Sequence, residues 1–496
     1  MQLRIVQASV LAAVMFAASL LVPQPPVLAD TPASTGTVPP AQSGGSTTPA
    51  TPQFPPPPAP PAAPAVRVGL DHSLTTLSLS ADGGLYVVVQ GAVVAQSQPG
   101  QTLNITQVAD KLQIDGLPAP VAGPVRFVPV PPKDPAVPNY LAYKKRTYRG
   151  EAEILIAPKD QKLSVVNVVN LEDYLQGVVP REMGYAWPQE ALKAQAVAAR
   201  NYALTHLGKW SEYGYDLSST TLDQDYGGVP AETPATNNAV RATAGKVLTF
   251  QGKLASTYFF SSSGGHTENS EIIWGGFLGY LRGVPDFDNV PANRYYSWRY
   301  SFDLPRFLQL VKAYKGQDVG NLTGVSPTGA MGVSGRPSAW LVAGSAKSVT
   351  LRAEELRDML DLPSSAKQIT VQITTVPQTP APGPASVSVM GADRRVIERP
   401  LAGASVMGAN QAAATVSAAQ VTVVGASRTP VAIQTAATAV QAAQAAQQTG
   451  SVEVIGGGFG HAVGLSQFGS YTLAILGRTY DQILTYYYTG TKVETR

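Results

Sequence analysis

Apolar positions along the chain follow two different periods. From Val66 to Val169 they mostly alternate or run in short β-branched blocks: Val66 to Leu70, Leu77 to Leu79, Leu85 to Gln90, Tyr148 to Ile156 and Leu163 to Val169. Gly83-Gly84 and the Gln98 to Gly100 corner separate some of them, so the region reads as strands and turns. At Asn170 the period changes to that of a helix. Asn170 can cap it, Leu171, Tyr174, Leu175 and Val178 share a face, and Pro180 is expected to end it. Trp187 to Glu190 opens a second helix with Pro188 in a first-turn position, and the six Ala between Ala191 and Leu204 imply close packing against another backbone. Further strands are expected at Lys246 to Phe250, Ala255 to Phe260 and Val452 to Ile455, and helices at Leu304 to Tyr314, Arg352 to Leu360 and Tyr480 to Tyr488. The fold class is mixed α+β.

Three segments break these patterns. Ile5 to Val22 is apolar apart from Gln7, Ser9 and Ser19, follows Arg4, and leads to Val27-Leu28-Ala29. Residues 1–29 therefore read as a secretory signal peptide, the rival reading being a retained anchor. Residues 30–66 hold 12 Pro and a single charge, Asp30, which suits an extended tether rather than a core. Residues 376–450 are rich in Ala, Gln, Val, Thr and Ser and read as a low-complexity insertion at the surface. Residues 67–165, 166–375 and 451–496 remain to fold, and the last piece is small enough that it must dock on the others.

Composition narrows the chemistry. There is no Cys, which excludes disulfides, thiolate nucleophiles and Cys-ligated zinc. A net charge of +3 over 496 residues gives no electrostatic support for a nucleic-acid partner. The four His contain no His-x-x-x-His pair, so no metal and no cofactor is expected. Ser261 to His266 lacks a nucleophile elbow, and Gly456 to His461 lacks the Lys-Ser/Thr of a phosphate loop. Glu182 stands apart. It lies between the two expected helices beside Met183, Tyr185 and Trp187, where apolar surroundings can raise a carboxyl pKa toward neutrality, although a following helix N-terminus would oppose this.

The stretch Val166 to Met183 (VNVVNLEDYLQGVVPREM), followed by Trp187 to Tyr202 (WPQEALKAQAVAARNY), resembles the stage II sporulation protein D family, which includes amidase-enhancer proteins. Three further blocks agree in order: Ala255 to Glu271 (ASTYFFSSSGGHTENSE) with Trp274; Ser334 to Arg336 leading to Leu356 and Arg357; and Gly457 to Gly469 (GGFGHAVGLSQFG) ending in Ile483 to Gly490 (ILTYYYTG). The resemblance implies that residues 166–375 and 451–496 form a catalytic core, with 67–165 as its strand-rich N-terminal part. It implies a secreted or envelope-located lytic transglycosylase that cuts peptidoglycan glycan strands, serving cell-wall remodelling, sporulation included. Glu182 matches the catalytic Glu. Arg181 replaces the family's Ser, and a cation there is expected to lower the acid's pKa. Arg200 is expected as a structural or substrate contact, and Gln195, His266, His461 and Gln467 as hydrogen-bonding glycan contacts. Tyr295, Tyr296 and Trp298 are expected to stack on sugars. Some relatives bind zinc near the Ser-Gly-Gly block through His and Cys; only His266 is present here, so no metal is carried over. If water were the nucleophile, Asp223 or Asp225 would be the second carboxylate. The alternative is a non-catalytic peptidoglycan-binding enhancer of a cell-wall amidase. The membrane is expected to be met only through an uncleaved N-terminal segment.

Overall fold

The computed structural model describes residues 64–376 and 447–496, together with the backbone of six short strands between 386 and 433. The expected signal peptide, nearly all of the tether, and most of the insertion lie outside the described residues. Among those described, no helix is long and apolar enough to cross a membrane.

Two-residue periodicity builds the first layers. In Thr76–Ala81, Leu77, Leu79 and Ala81 are buried while Thr76 and Ser78 face solvent, and Leu103–Val108 repeats the pattern with Leu103 and Ile105. These two strands pair in a six-stranded sheet that ends in the hairpin Leu141–Tyr143 and Arg146–Tyr148. Leu163–Asn170 is buried along most of its length. It sits inside a seven-stranded sheet between Ala65–Leu74 and Glu151–Ile156, antiparallel to both.

The chain leaves that strand directly into the helical layer. Helix α1 (Leu171–Glu182) starts where the Asn170 side chain accepts the Glu172 N–H at 2.9 Å. Helix α1 does not stop at Pro180 as expected. Pro lacks only one backbone donor in the final turn, so the helix runs on through Arg181 and Glu182 and closes with the Met183 N–H on the Val179 carbonyl. Helix α2 (Gln189–Thr205) is the pivot. Its Ala residues are buried, and it packs against α1, α3 (Pro234–Ala242) and the C-terminal helices α7 (Gln467–Ile475) and α8 (Tyr480–Tyr487). Gly177, midway along α1, is required by packing: a Cβ there would lie 2.5 Å from the Tyr226 ring.

A second hydrophobic core gathers Trp298, Phe307, Trp340, Leu351 and Leu356 with Val452 and Val454. It lies among α5 (Leu304–Lys315), α6 (Ala353–Leu360), the meander Leu322–Met331, Pro337–Gly344 and Ser348–Arg352, and the sheet Trp298–Asp303, Gln447–Gly456, Gln368–Val376. The meander, α3 and the short helix α4 (Ser270–Trp274) carried no expectation from the sequence. The strand expected over Ala255 to Phe260 is confined to Phe259–Phe260. The two cores are clasped by Arg336. It is fully buried, and it donates to the Ser334 hydroxyl and to the carbonyls of Ser263 and Gly457.

The last fifty residues dock as expected, and they add a strand to three sheets. Gln447–Gly456 lies between two partners, Leu465–Ser466 pairs in parallel with Phe259–Phe260, and Lys492–Thr495 pairs with Lys246–Phe250. Val376 and Gln447 are directly opposed at the end of the antiparallel pair Gln368–Val376 and Gln447–Gly456. Those two strand ends are therefore hairpin ends. A two-residue Asn-Gly turn in place of residues 377–446 should keep the fold, and the shorter loop should raise unfolding stability by about 1–3 kcal/mol. Urea denaturation of the shortened chain measures this, and a loss of cooperative unfolding would contradict it.

Candidate active site

The C-terminal turn of α1 presents Glu182. Its Oε1 accepts the Asp225 N–H at 3.2 Å, and its Oε2 accepts from Gln467 Nε2 at 3.4 Å. Asp225 is brought there by its own loop: the neighbouring Tyr226 N–H bonds to the Ser219 carbonyl and the Gly227 N–H to the Gly177 carbonyl. Gln467 arrives from the other end of the chain. The parallel pair Phe259–Phe260 with Leu465–Ser466 fixes its approach, and the Ser466 hydroxyl caps α7 by accepting the Gly469 N–H at 3.2 Å. Trp187 pins the intervening loop, its ring 5.2 Å from both Phe468 and Tyr471 of α7. The sequence did not single out Phe468 and Tyr471, because nothing local marks them as facing Trp187.

Burial pushes the Glu182 carboxyl up to about 6, against the lowering effect of the two donors. The carboxyl also stands at the C-terminal end of α1, where the partial negative charge of the last carbonyls disfavours a carboxylate. The opposing influence anticipated from a following helix N-terminus is thus outweighed. Arg181 does lower the Glu182 pKa, as expected. It does not bond to Glu182; its Nε and Nη2 hold one oxygen of Asp225 at 3.0 and 2.6 Å. The lowering by Arg181 is smaller than the raising by Asp225, and burial exceeds both.

The two candidate partner carboxylates separate clearly. The Asp223 side chain is fully enclosed and accepts from the Tyr202 hydroxyl, Lys209, the Trp210 indole N–H and the Ser218 N–H. It is a scaffold residue. Asp225 lies next to Glu182 but is engaged by Arg181.

Of the other expected contacts, only Gln467 meets Glu182 directly. Arg200 is buried, with both arms of its guanidinium on Glu172 at 2.7 and 2.6 Å and Nη1 on the Lys246 carbonyl. It is structural, not a glycan contact. Gln195 is fully enclosed in α2, out of reach of an external strand. Trp298 belongs to the second core, its indole N–H on the Gly458 carbonyl at 3.1 Å. Tyr295 packs on Phe459 with ring centroids 4.6 Å apart, and Tyr296 lies beside Gly265. His461 is packed among Tyr258, Phe260 and Trp274, accepts the Val463 N–H, and is pushed down to about 3 by burial. A neutral ring held this way is a packing element. His266 is half-buried with Nδ1 2.7 Å from the Thr267 carbonyl. Among the described residues, no three His, Cys, Asp or Glu side chains gather as metal ligands.

Residues 159–250, which contain α1, Glu182, α2 and Asp225, match the family model SpoIID, described as stage II sporulation protein. Residues 159–250 are thus similar to the SpoIID domain. The chain is 41% identical over 132 residues to an uncharacterised protein of Brachyspira hyodysenteriae, covering 26% of this chain and 36% of that one. It is 26% identical over 320 residues to the amidase enhancer of Bacillus subtilis, covering 64% of this chain and 40% of that one. It is 34% identical over 179 residues to stage II sporulation protein D of Bacillus amyloliquefaciens, covering 33% and 52%. The chain thus spans roughly a third to a half of these relatives' lengths, 36–52%. By their names, SpoIID relatives are linked to sporulation and to the enhancement of an amidase.

Two substitutions test this electrostatic arrangement. Arg181→Ser leaves the Asp225 carboxylate unneutralised beside Glu182. The Glu182 pKa should then rise above its present value of about 6, measurable by carboxyl NMR titration. Arg200→Ala strands Glu172 and empties a buried site, and should cost about 3 kcal/mol or more in urea denaturation.

Proposed function

We propose that this chain is an exported peptidoglycan lytic transglycosylase in which Glu182 serves as both acid and base. The observation that carries the reading is the Glu182 carboxyl, held by the Asp225 N–H and Gln467 and raised to about 6 by burial, while the nearby carboxylate Asp225 is bound to Arg181. A carboxyl with that pKa is protonated in mildly acidic conditions and returns readily to a carboxylate, as a group that must do both requires.

The reaction then needs no second carboxylate and no added water. Glu182 gives its proton to the oxygen that bridges muramic acid to the next sugar, and the C1–O bond breaks. The resulting carboxylate takes the proton of the muramic 6-hydroxyl as that oxygen bonds to C1. A 1,6-anhydro end remains, and Glu182 is protonated again. Gln467 Nε2 and the Asp225 N–H hold the carboxyl in place and favour the anion in the second half of the cycle. The aromatic wall of Trp187, Phe468 and Tyr471 offers apolar ring faces to sugars beside the acid.

A second reading, a non-catalytic module that binds peptidoglycan and assists a cell-wall amidase, is favoured by the 26% identity to the Bacillus subtilis amidase enhancer. Incubating the chain with purified sacculi and analysing products by mass spectrometry separates the two. Anhydro-muramic ends that vanish in Glu182→Gln support the enzyme; sacculus binding without any sugar product supports the module. Activity should fall as pH rises through about 6, where Glu182 loses its proton. Stability carries the same signature. A folded-state pKa of about 6 against an ordinary 4.5 means the folded chain binds more protons than the unfolded one between those values. Stability therefore declines by about 2 kcal/mol as pH rises across that window. Glu182→Gln removes that decline, so the variant should exceed the parent in stability above pH 6 and not below pH 4.5.

A further inference from the structure

An open cavity of about 480 Å³ reaches Asp225, the residue whose N–H holds Glu182, and its size is within the range of small-molecule sites. Asp225 forms one end of its lining. The other walls come from the hairpin Leu141–Tyr143 and Arg146–Tyr148 and from the loop containing Thr220.

The charges in this cavity do not cancel. Lys144 is paired with Asp71, which also accepts from the Tyr143 hydroxyl at 2.9 Å. Asp225 is paired with Arg181. Arg146 is exposed and forms no ion pair among the described residues. The hairpin that carries it turns through Lys144 and Lys145, both in the left-handed region at φ 46° and 64°. A two-residue hairpin turn ordinarily places Asn and Gly in that conformation. With Lys144 held by Asp71 and Asp225 held by Arg181, Arg146 is left as the lining cation with no carboxylate partner among the described residues.

We propose that this cavity receives a carboxylate carried on the lactyl ether of muramic acid, with Arg146 as the recognising cation and specificity determinant. The inference rests on the glycan-cleaving reading above and deepens it. A planar guanidinium binds a carboxylate through two parallel N–H bonds, a geometry that a lysine does not reproduce. Tyr148, whose hydroxyl engages the Arg146 side chain, and Thr220 line the same space. On a glycan of alternating amino sugars, the lactyl arm is the only acidic attachment point. Its charge is either the lactyl carboxylate itself or the carboxylates of a peptide built upon it.

Binding to the full-length Glu182→Gln chain, measured by calorimetry at low and moderate salt, tests the proposal without requiring turnover. The probes are glycan strands with free lactyl carboxylates, the same strands with those groups capped as methylamides, peptide-bearing strands, and a neutral N-acetylglucosamine oligomer. Acidic strands should bind at least ten-fold more tightly than capped or neutral ones. Adding Arg146→Ala should abolish that preference and its salt dependence, while Arg146→Lys restores only part of it. An Arg146-dependent preference for free-carboxylate strands assigns the lactyl carboxylate; one confined to peptide-bearing strands assigns the peptide's. Equal affinity for acidic and neutral strands, no glycan binding at all, or a preference untouched by Arg146→Ala overturns the site. Discrimination without any anhydro product from the parent chain would leave the anion site standing and remove only the catalytic reading.

Discussion

The return of residues 447–496 onto the earlier chain is the constraint on which the rest of the structure depends. Three sheets acquire a strand from this segment, and Val463, Leu465, Ile483, Leu484, Tyr487 and Tyr488 are buried in the main core. Each such side chain contributes about 1.5–3 kcal/mol of transfer free energy, which makes the docking a major part of stability rather than an accessory. Position follows from packing. The parallel pair with Phe259–Phe260 sets where α7 begins, and the start of α7 sets where Gln467 meets Glu182. The fit at Gly469 is close: a Cβ there would lie 1.9 Å from the Asp286 carboxyl, so no side chain is accommodated at this position of α7.

Within this frame the acid is governed by opposing influences of similar size. Burial and the end of α1 favour the proton; two N–H donors favour the anion. The balance falls near 6 instead of at either extreme. Arg181 lowers the Glu182 pKa by its own charge and also binds the neighbouring Asp225 carboxylate.

Much of the local architecture was legible in the sequence, because it is decided by neighbours. The Asn170 cap, the buried strand before it and the Ala-rich α2 follow from periods of two and 3.6 and from side chains a few residues apart. Pro180 was misjudged because a single missing donor near a helix end is tolerated when the turn is packed. The site was legible in part. Glu182 stood out by its surroundings, and Gln467 through the family resemblance. Their meeting is not written locally, since 285 residues separate them. Arg200, Gln195, His461 and Trp298 were read as contacts because their residue types can bind sugars, yet Arg200 and Trp298 bond to other parts of the fold, His461 packs among aromatic rings, and Gln195 is enclosed. The unpaired cation on the Arg146–Tyr148 hairpin escaped notice because charge imbalance depends on which acids lie across the fold.

The order of synthesis acquires a meaning from this arrangement. Glu182 leaves the ribosome long before the strands that finish its sheets, so a nascent chain carries the acid without the amide that holds it or the helix that walls it. The contact between Glu182 and Gln467 can form only once residue 467 has been made.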